Sequence, residues 1–302
     1  MKSPKLFEFP VNDVVCRAKF FESSTPSDVV VMITAAIGQI QEQAPLQYAR
    51  RLAELGIHAV TFDHRYFGLS DGEPRQLEHP ERKVEDIEAL AQFIKTSDLF
   101  SGVSKVVTLG ICKGGAYSLK AAASCQAIDA FIGVSAFYFD DTSLEAASGY
   151  KAQRIEQGRK ALEKYESTGK VEYLPITHDV RKDAALPYPA LHAWYAPWEV
   201  TSRWQNRYAV MSDFFIYQLE SAPDARGLNK PALIIHASKS TNPQSARDVF
   251  ALIPTDRKKL CFYDDGVDFQ TNFYERPALI DRACSDIATW LEELQTESEP
   301  TK

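Results

Sequence analysis

The sequence predicts an α/β protein, with a mostly parallel sheet covered by helices on both faces and an inserted helical cap. Three observations carry this reading. Strand-length apolar runs alternate with amphipathic helical stretches over most of the chain. That rhythm breaks between about residues 140 and 230, where polar and aromatic stretches take over. The 302 residues, 45% of them hydrophobic, suffice for one large core carrying an insertion. The chain is therefore divided into a core (1–139 and 231–302) and a cap (140–230).

The elements follow in order. Asp13 to Phe21 alternates, with Val14, Cys16, Ala18 and Phe20 on one face, which suits a half-solvated antiparallel edge strand. Val29 to Ile33 is apolar throughout, as expected of a strand covered on both sides. A helix is expected from about Pro45 to Leu55, with Gly56 ending it. Next come a strand from His58 to Phe62, a helix from Glu81 to Ile94 and a strand from Lys105 to Leu109. A helix beginning near Gly115 and a strand from Ala130 to Val134 complete the first part. Past the cap, Ala232 to Ile235 and Lys259 to Tyr263 are expected strands. The last helix runs from about Pro277 to Leu294, with Pro277 in its first turn. Within the cap, Ser143 to Ser167 reads as a charged helix, and Tyr188 to Tyr217 holds three of the four tryptophans.

Composition excludes several classes. A formal charge of −7 without a Lys/Arg-rich block argues against nucleic acid or anionic membrane as a partner. No stretch approaches the roughly 20 apolar residues of a membrane span, and the first residues lack a signal-peptide pattern. Five cysteines without CxxC or Cys/His spacing point to neither disulfides nor zinc, and a cytoplasmic setting fits. Cys16, Cys125, Cys261 and Cys284 read as small buried hydrophobes. No metal and no cofactor are expected.

Cys112 stands apart. It lies in Gly110-Ile111-Cys112-Lys113-Gly114, between an apolar strand and a helical stretch. This is the G-x-S-x-G strand–turn–helix pattern with sulfur replacing the serine oxygen. The turn is so tight that glycine is needed two residues before and two after the central position, which is itself strained. The following helix's N-terminus is expected to favour the thiolate.

The chain thereby resembles the α/β-hydrolase fold. It most resembles the dienelactone-hydrolase-like group with a cysteine nucleophile, which includes fungal polyketide transferases. The resemblance rests on Thr61 to Ser70, Gly72 to Gln76, Val84 to Ile87, Leu109 to Cys112 and, in the cap, Asn206 to Ser212. It implies a nucleophile at Cys112 and an oxyanion hole from the backbone N–H groups of Ile37 and Lys113. Departures are also clear. Ala35-Ala36 replaces the family's His-Gly. The loop Ala237 to Asn242, where the family acid belongs, has no carboxylate. The position of the family base falls on Gln270, which takes no proton at neutral pH. Asp264, Asp265 and Asp268 remain candidates for a displaced base.

The expected ligand is a small aromatic or apolar molecule, with homodimerisation left open. Its contacts are expected from His64 and Tyr66 on the sheet edge, Tyr138, the cap residues Trp194, Trp198 and Trp204, and Lys239. Arg65, Arg75, Asp63 and Glu73 are read as an ion-pair network beside the pocket. Three functions stay open. The first is acyl hydrolysis or transfer through Cys112 on an ester or thioester. Cysteine supports this better than serine would, because some thiolate exists without a base. The second is a non-hydrolytic cyclisation, elimination or isomerisation in the same pocket. The third is ligand binding without turnover.

Overall fold

The computed structural model describes residues 2–140 and 151–296. The core strands are Lys5–Val11 (β1), Val14–Phe21 (β2), Val29–Thr34 (β3), His58–Phe62 (β4), Lys105–Ile111 (β5) and Ala130–Val134 (β6). Two short cap strands, Tyr173–Leu174 (β7) and Tyr208–Ala209 (β8), pair with each other. Ala232–Ala237 (β9) and Lys258–Tyr263 (β10) return to the main sheet. That sheet has eight strands in the order β1-β2-β4-β3-β5-β6-β9-β10. From β4 to β10 every neighbouring pair is parallel; only β1–β2 and β2–β4 are antiparallel.

The central strands are buried from end to end, which is why β3 and β6 read as unbroken apolar runs. The helix Ala44–Glu54 (α1) packs with Pro277–Thr296, while Pro80–Thr96 (α2) packs with Gly114–Ser124 (α3). Gly56 has φ 83 and lets the chain leave α1.

The strand from Asp13 is not the edge. β1 lies outside it, joined by a tight turn with Asn12 at φ 53, so β2 is paired on both sides. The cap's charged helix occupies Lys151–Thr168; the expected residues 143–150 lie outside those described. This helix packs on Ser212–Ile216, with Gly158 so close to Phe214 N that a side chain there would collide. The cap is tied to the core by Ala209 N–H donating to Gln76 O at 3.0 Å and by Glu78 N–H donating to Ser212 Oγ at 2.9 Å.

Candidate active site

Cys112 sits at the junction of β5 and α3 with φ 53, a conformation non-glycine residues rarely adopt. The flanking glycines follow from close approach. A Cβ on Gly110 would run into the carbonyl of Gly114, and one on Gly114 into the carbonyl of Ala35. The turn is anchored on the segment after β6, where Phe137 N–H donates to Cys112 O at 2.8 Å.

The sulfur faces a cavity of about 240 Å³. The core supplies Cys112, Lys113, Phe137, Lys239, Ser240, Thr241, Phe269, Gln270 and Tyr274. The cap supplies Ala185, Leu186, Tyr188, Leu191, Tyr195 and Tyr217. No histidine and no carboxylate lines this cavity among the described residues.

A chain of polar contacts occupies the place of a proton-handling pair. The Tyr274 hydroxyl lies beside the Cys112 sulfur in the cavity wall and draws the thiol's pKa down. Gln270 Nε2 donates to Tyr274 Oη at 3.2 Å and to Ser135 O at 2.6 Å. Gln270 Oε1 accepts from Ser135 Oγ at 2.8 Å and from Thr241 N–H at 3.1 Å. Gln270 is thus held rigidly within reach of Tyr274, and Tyr274 stands between it and the sulfur. None of these groups removes a proton at neutral pH, and burial holds the Tyr274 hydroxyl well above the usual phenol range.

Burial also pushes the Cys112 thiol up, against the expectation drawn from the helix N-terminus. The Tyr274 hydroxyl, the Lys113 charge and the Lys113 N–H pull it back only in part. Desolvation of a thiolate under an apolar roof outweighs the favourable dipole.

Of the residues expected at the site, Cys112, Lys113, Gln270 and Lys239 meet at this cavity. The Lys113 N–H helps to draw the thiol's pKa down. Ile37 is buried and does not line the cavity; its carbonyl accepts from Tyr195 Oη at 3.1 Å. Asp268 pairs outward with Arg276 at 2.6 Å, and Asp265 with Arg282 at 2.8 Å; neither these nor Asp264 lines the cavity.

Six expected contacts lie elsewhere. His64 is turned into the core, with Nδ1 3.1 Å from Asp86 Oδ2. Tyr66 is half-buried in its turn at φ 76, against the small apolar cluster of Leu77 and Met211. Tyr138 is buried over Gly133, where a Cβ would meet its hydroxyl. Trp194 packs edge-on against Tyr274 at 5.1 Å, and Trp198 lies behind it at 5.8 Å. Trp204 is buried, its indole N–H donating to Gly38 O at 2.8 Å. The tryptophans thus form a layer behind the cavity wall. The wall itself is tyrosine and phenylalanine, whose importance the sequence reading missed. Tyr274 follows Gln270 by four residues, and that spacing was the available signal.

The arginine network is also different from the expectation. Arg65 pairs with Asp86 and Glu85, whereas Arg75 binds backbone carbonyls of Gly68, Ser70 and Gly72. Asp63 accepts from Gln41 and from Leu69 N–H. His236 is buried with its ring nitrogens 3.1 and 3.2 Å from the carbonyls of Ala237 and Ala136. Burial lowers its pKa to about 4, so it is neutral and structural.

Sheet order, elbow and cap are those of an α/β hydrolase, and the family model described as serine aminopeptidase, S33 matches residues 28–267. The chain belongs to this α/β-hydrolase family. Among curated proteins, the chain is 38% identical over 99 residues to the uncharacterized protein YcjY of Escherichia coli (strain K12), covering 33% of this chain and 32% of that one. It is 30% identical over 132 residues to the quorum-quenching protein AidA of Acinetobacter baumannii (strain MDR-ZJ06), covering 43% of each. The matches thus span less than half the length of these relatives. Among solved structures, DcsB in complex with its substrate analogue superposes with a TM-score of 0.77 at 17% identity, over 95% of this chain and 98% of that one. That likeness concerns the fold. Among the described residues no helix is long and apolar enough to cross a membrane, and no cluster of His, Cys, Asp or Glu is arranged to hold a metal.

Proposed function

We propose that this α/β hydrolase performs acyl chemistry through Cys112 on a small aromatic or apolar ester or thioester. The sulfur would attack the acyl carbon, forming a C–S bond as the bond to the alcohol or thiol breaks. The thiol proton passes to the leaving group, relayed by the Tyr274 hydroxyl, which gives one proton as it takes another and never carries charge. The Lys113 N–H, next to the sulfur at the start of α3, would meet the oxygen of the tetrahedral intermediate; Ile37, which does not line the cavity, is not the second donor in this reading. Water or another nucleophile then takes the acyl group and the thiol is restored. The single observation carrying this reading is Cys112 at φ 53 in the cavity wall, beside Tyr274. The quorum-quenching name of AidA is compatible with it and names no substrate.

A missing base costs about 10²–10⁴-fold in rate, so activated thioesters and aryl esters are the expected donors. The test is intact-mass analysis after mixing with an aryl ester or thioester of a short aromatic acid. An acyl adduct mapped to Cys112 and absent from Cys112→Ala is expected. Turnover that survives in Cys112→Ala would sink the reading.

A second reading rests on the fixed Gln270 amide in a cavity that no histidine or carboxylate lines among the described residues. Such a site suits a non-hydrolytic cyclisation or isomerisation, in which binding shapes the substrate and no water is consumed. Product formation without uptake of solvent ¹⁸O, unaffected by Cys112→Ala, would select it.

A further inference from the structure

Within the cap and beneath it lie ions almost wholly withdrawn from water. Lys83 Nζ is 2.7 Å from Glu78 Oε1, with these side chains 2% and 0% exposed. Arg154 Nε is 2.8 Å from Asp213 Oδ2, at 6% and 1% exposure. Tyr208 Oη also donates to Asp213, at 2.7 Å. These pairs balance one to one. Lys113 does not fit the balance. Its Nζ lies 5.8 Å and 5.6 Å from the ring centres of Phe137 and Phe139, and it makes no hydrogen bond or ion pair among the described residues. Glu78 and Asp213 are close enough to be felt, but both already have partners. Lys113 is therefore a surplus ammonium, on the residue next to the sulfur, in a cavity whose only other charged wall residue is Lys239, itself a cation.

We propose that this cavity is an acid-binding site, taking a small apolar or aromatic molecule that bears a carboxylate, with the carboxylate on Lys113 Nζ. The proposal deepens the acyl reading by naming the substrate class. The physical reason is desolvation. An apolar ligand filling the cavity would strip water from an ammonium already destabilised by burial. A carboxylate supplies the missing counter-charge and hydrogen-bond acceptor at the point where the loss is largest. Phe137 and Tyr217 offer apolar surface in the same cavity wall, so ring and charge are both accommodated. Lys239 is exposed, at the cavity mouth, and acts on approach more than on residence.

The test uses two probes without a leaving group, 3-phenylpropionate and its neutral amide, and reads binding to the full chain by calorimetry or ligand-observed NMR. The acid is expected to bind about tenfold or more tightly than the amide. Lys113→Met should erase that preference, Lys113→Arg should keep most of it, and Lys239→Met should change it by less than about threefold. Equal affinity of acid and amide in the wild type overturns the proposal, as does a preference that persists in folded Lys113→Met. Failure of the acid to saturate the protein by about 10 mM overturns it too. The wild-type comparison decides the matter even if Lys113→Met does not fold. Neither probe can acylate a thiol, so a negative acyl-trapping result and a negative result here are separate failures.

Discussion

Replacing Tyr274 by Phe isolates the contact on which Cys112 reactivity depends. The change removes one oxygen and leaves the ring, which Trp194 packs against. Gln270 keeps its bonds to Ser135 and Thr241, so the fold should lose only about 1 kcal/mol. The thiolate loses a charge-assisted hydrogen bond worth about 1.5–3 kcal/mol. That corresponds to about 10- to 150-fold less thiolate at fixed near-neutral pH. A less acidic thiol is also a better nucleophile, and this recovers nearly half of the effect on a logarithmic scale. Carbamidomethylation of Cys112 by iodoacetamide should therefore slow by about 4- to 15-fold. The assay is intact-mass kinetics with peptide mapping, because Cys261 is also partly exposed. An unchanged or faster rate would show that Tyr274 does not support the anion and would refute the argument.

Other expectations follow from the same geometry. Gly114→Ala should destabilise the fold by at least about 2 kcal/mol in urea unfolding, because its Cβ meets the Ala35 carbonyl; an unchanged midpoint would contradict the elbow packing. Asp86→Asn leaves the Arg65 guanidinium and His64 without their buried anion and should cost about 3–5 kcal/mol, measured by the same method. His236, lowered by burial from 6.5 to about 4, ties stability to pH. The unfolded chain takes up this proton first, so its share of stability is complete above pH 6.5 and is lost as pH falls towards 4. On the order of 2 kcal/mol should be gone by pH 5. Comparing urea midpoints at pH 7 and 5 for wild type and His236→Gln tests this, and identical pH slopes would refute it.

Much of the core was legible because its signals are local. The unbroken apolar runs of β3 and β6 could only be strands covered on both faces, and two glycines at fixed offsets could only frame a tight turn around Cys112. What escaped was decided by partners distant in sequence. β1 carries Lys5, Glu8 and Pro10 and looks polar, since one side of it stays in water; only Asn12-Asp13 before Val14 hinted at a hairpin. His64 sits where ligand-facing residues are common, yet Asp86, 22 residues on, draws its ring inward. The cap tryptophans promised a wall, but large indoles bury best between layers. The smaller tyrosines, each with one polar end, reach the hollow itself.

Two hydrogen bonds, from Tyr195 to the Ile37 carbonyl and from Trp204 to the Gly38 carbonyl, bolt the roof of this molecule to the loop behind the reactive sulfur. Lifting the roof to admit a guest would slacken that loop in the same stroke. Roof and loop are thereby held as one body, and a disturbance of either reaches the other.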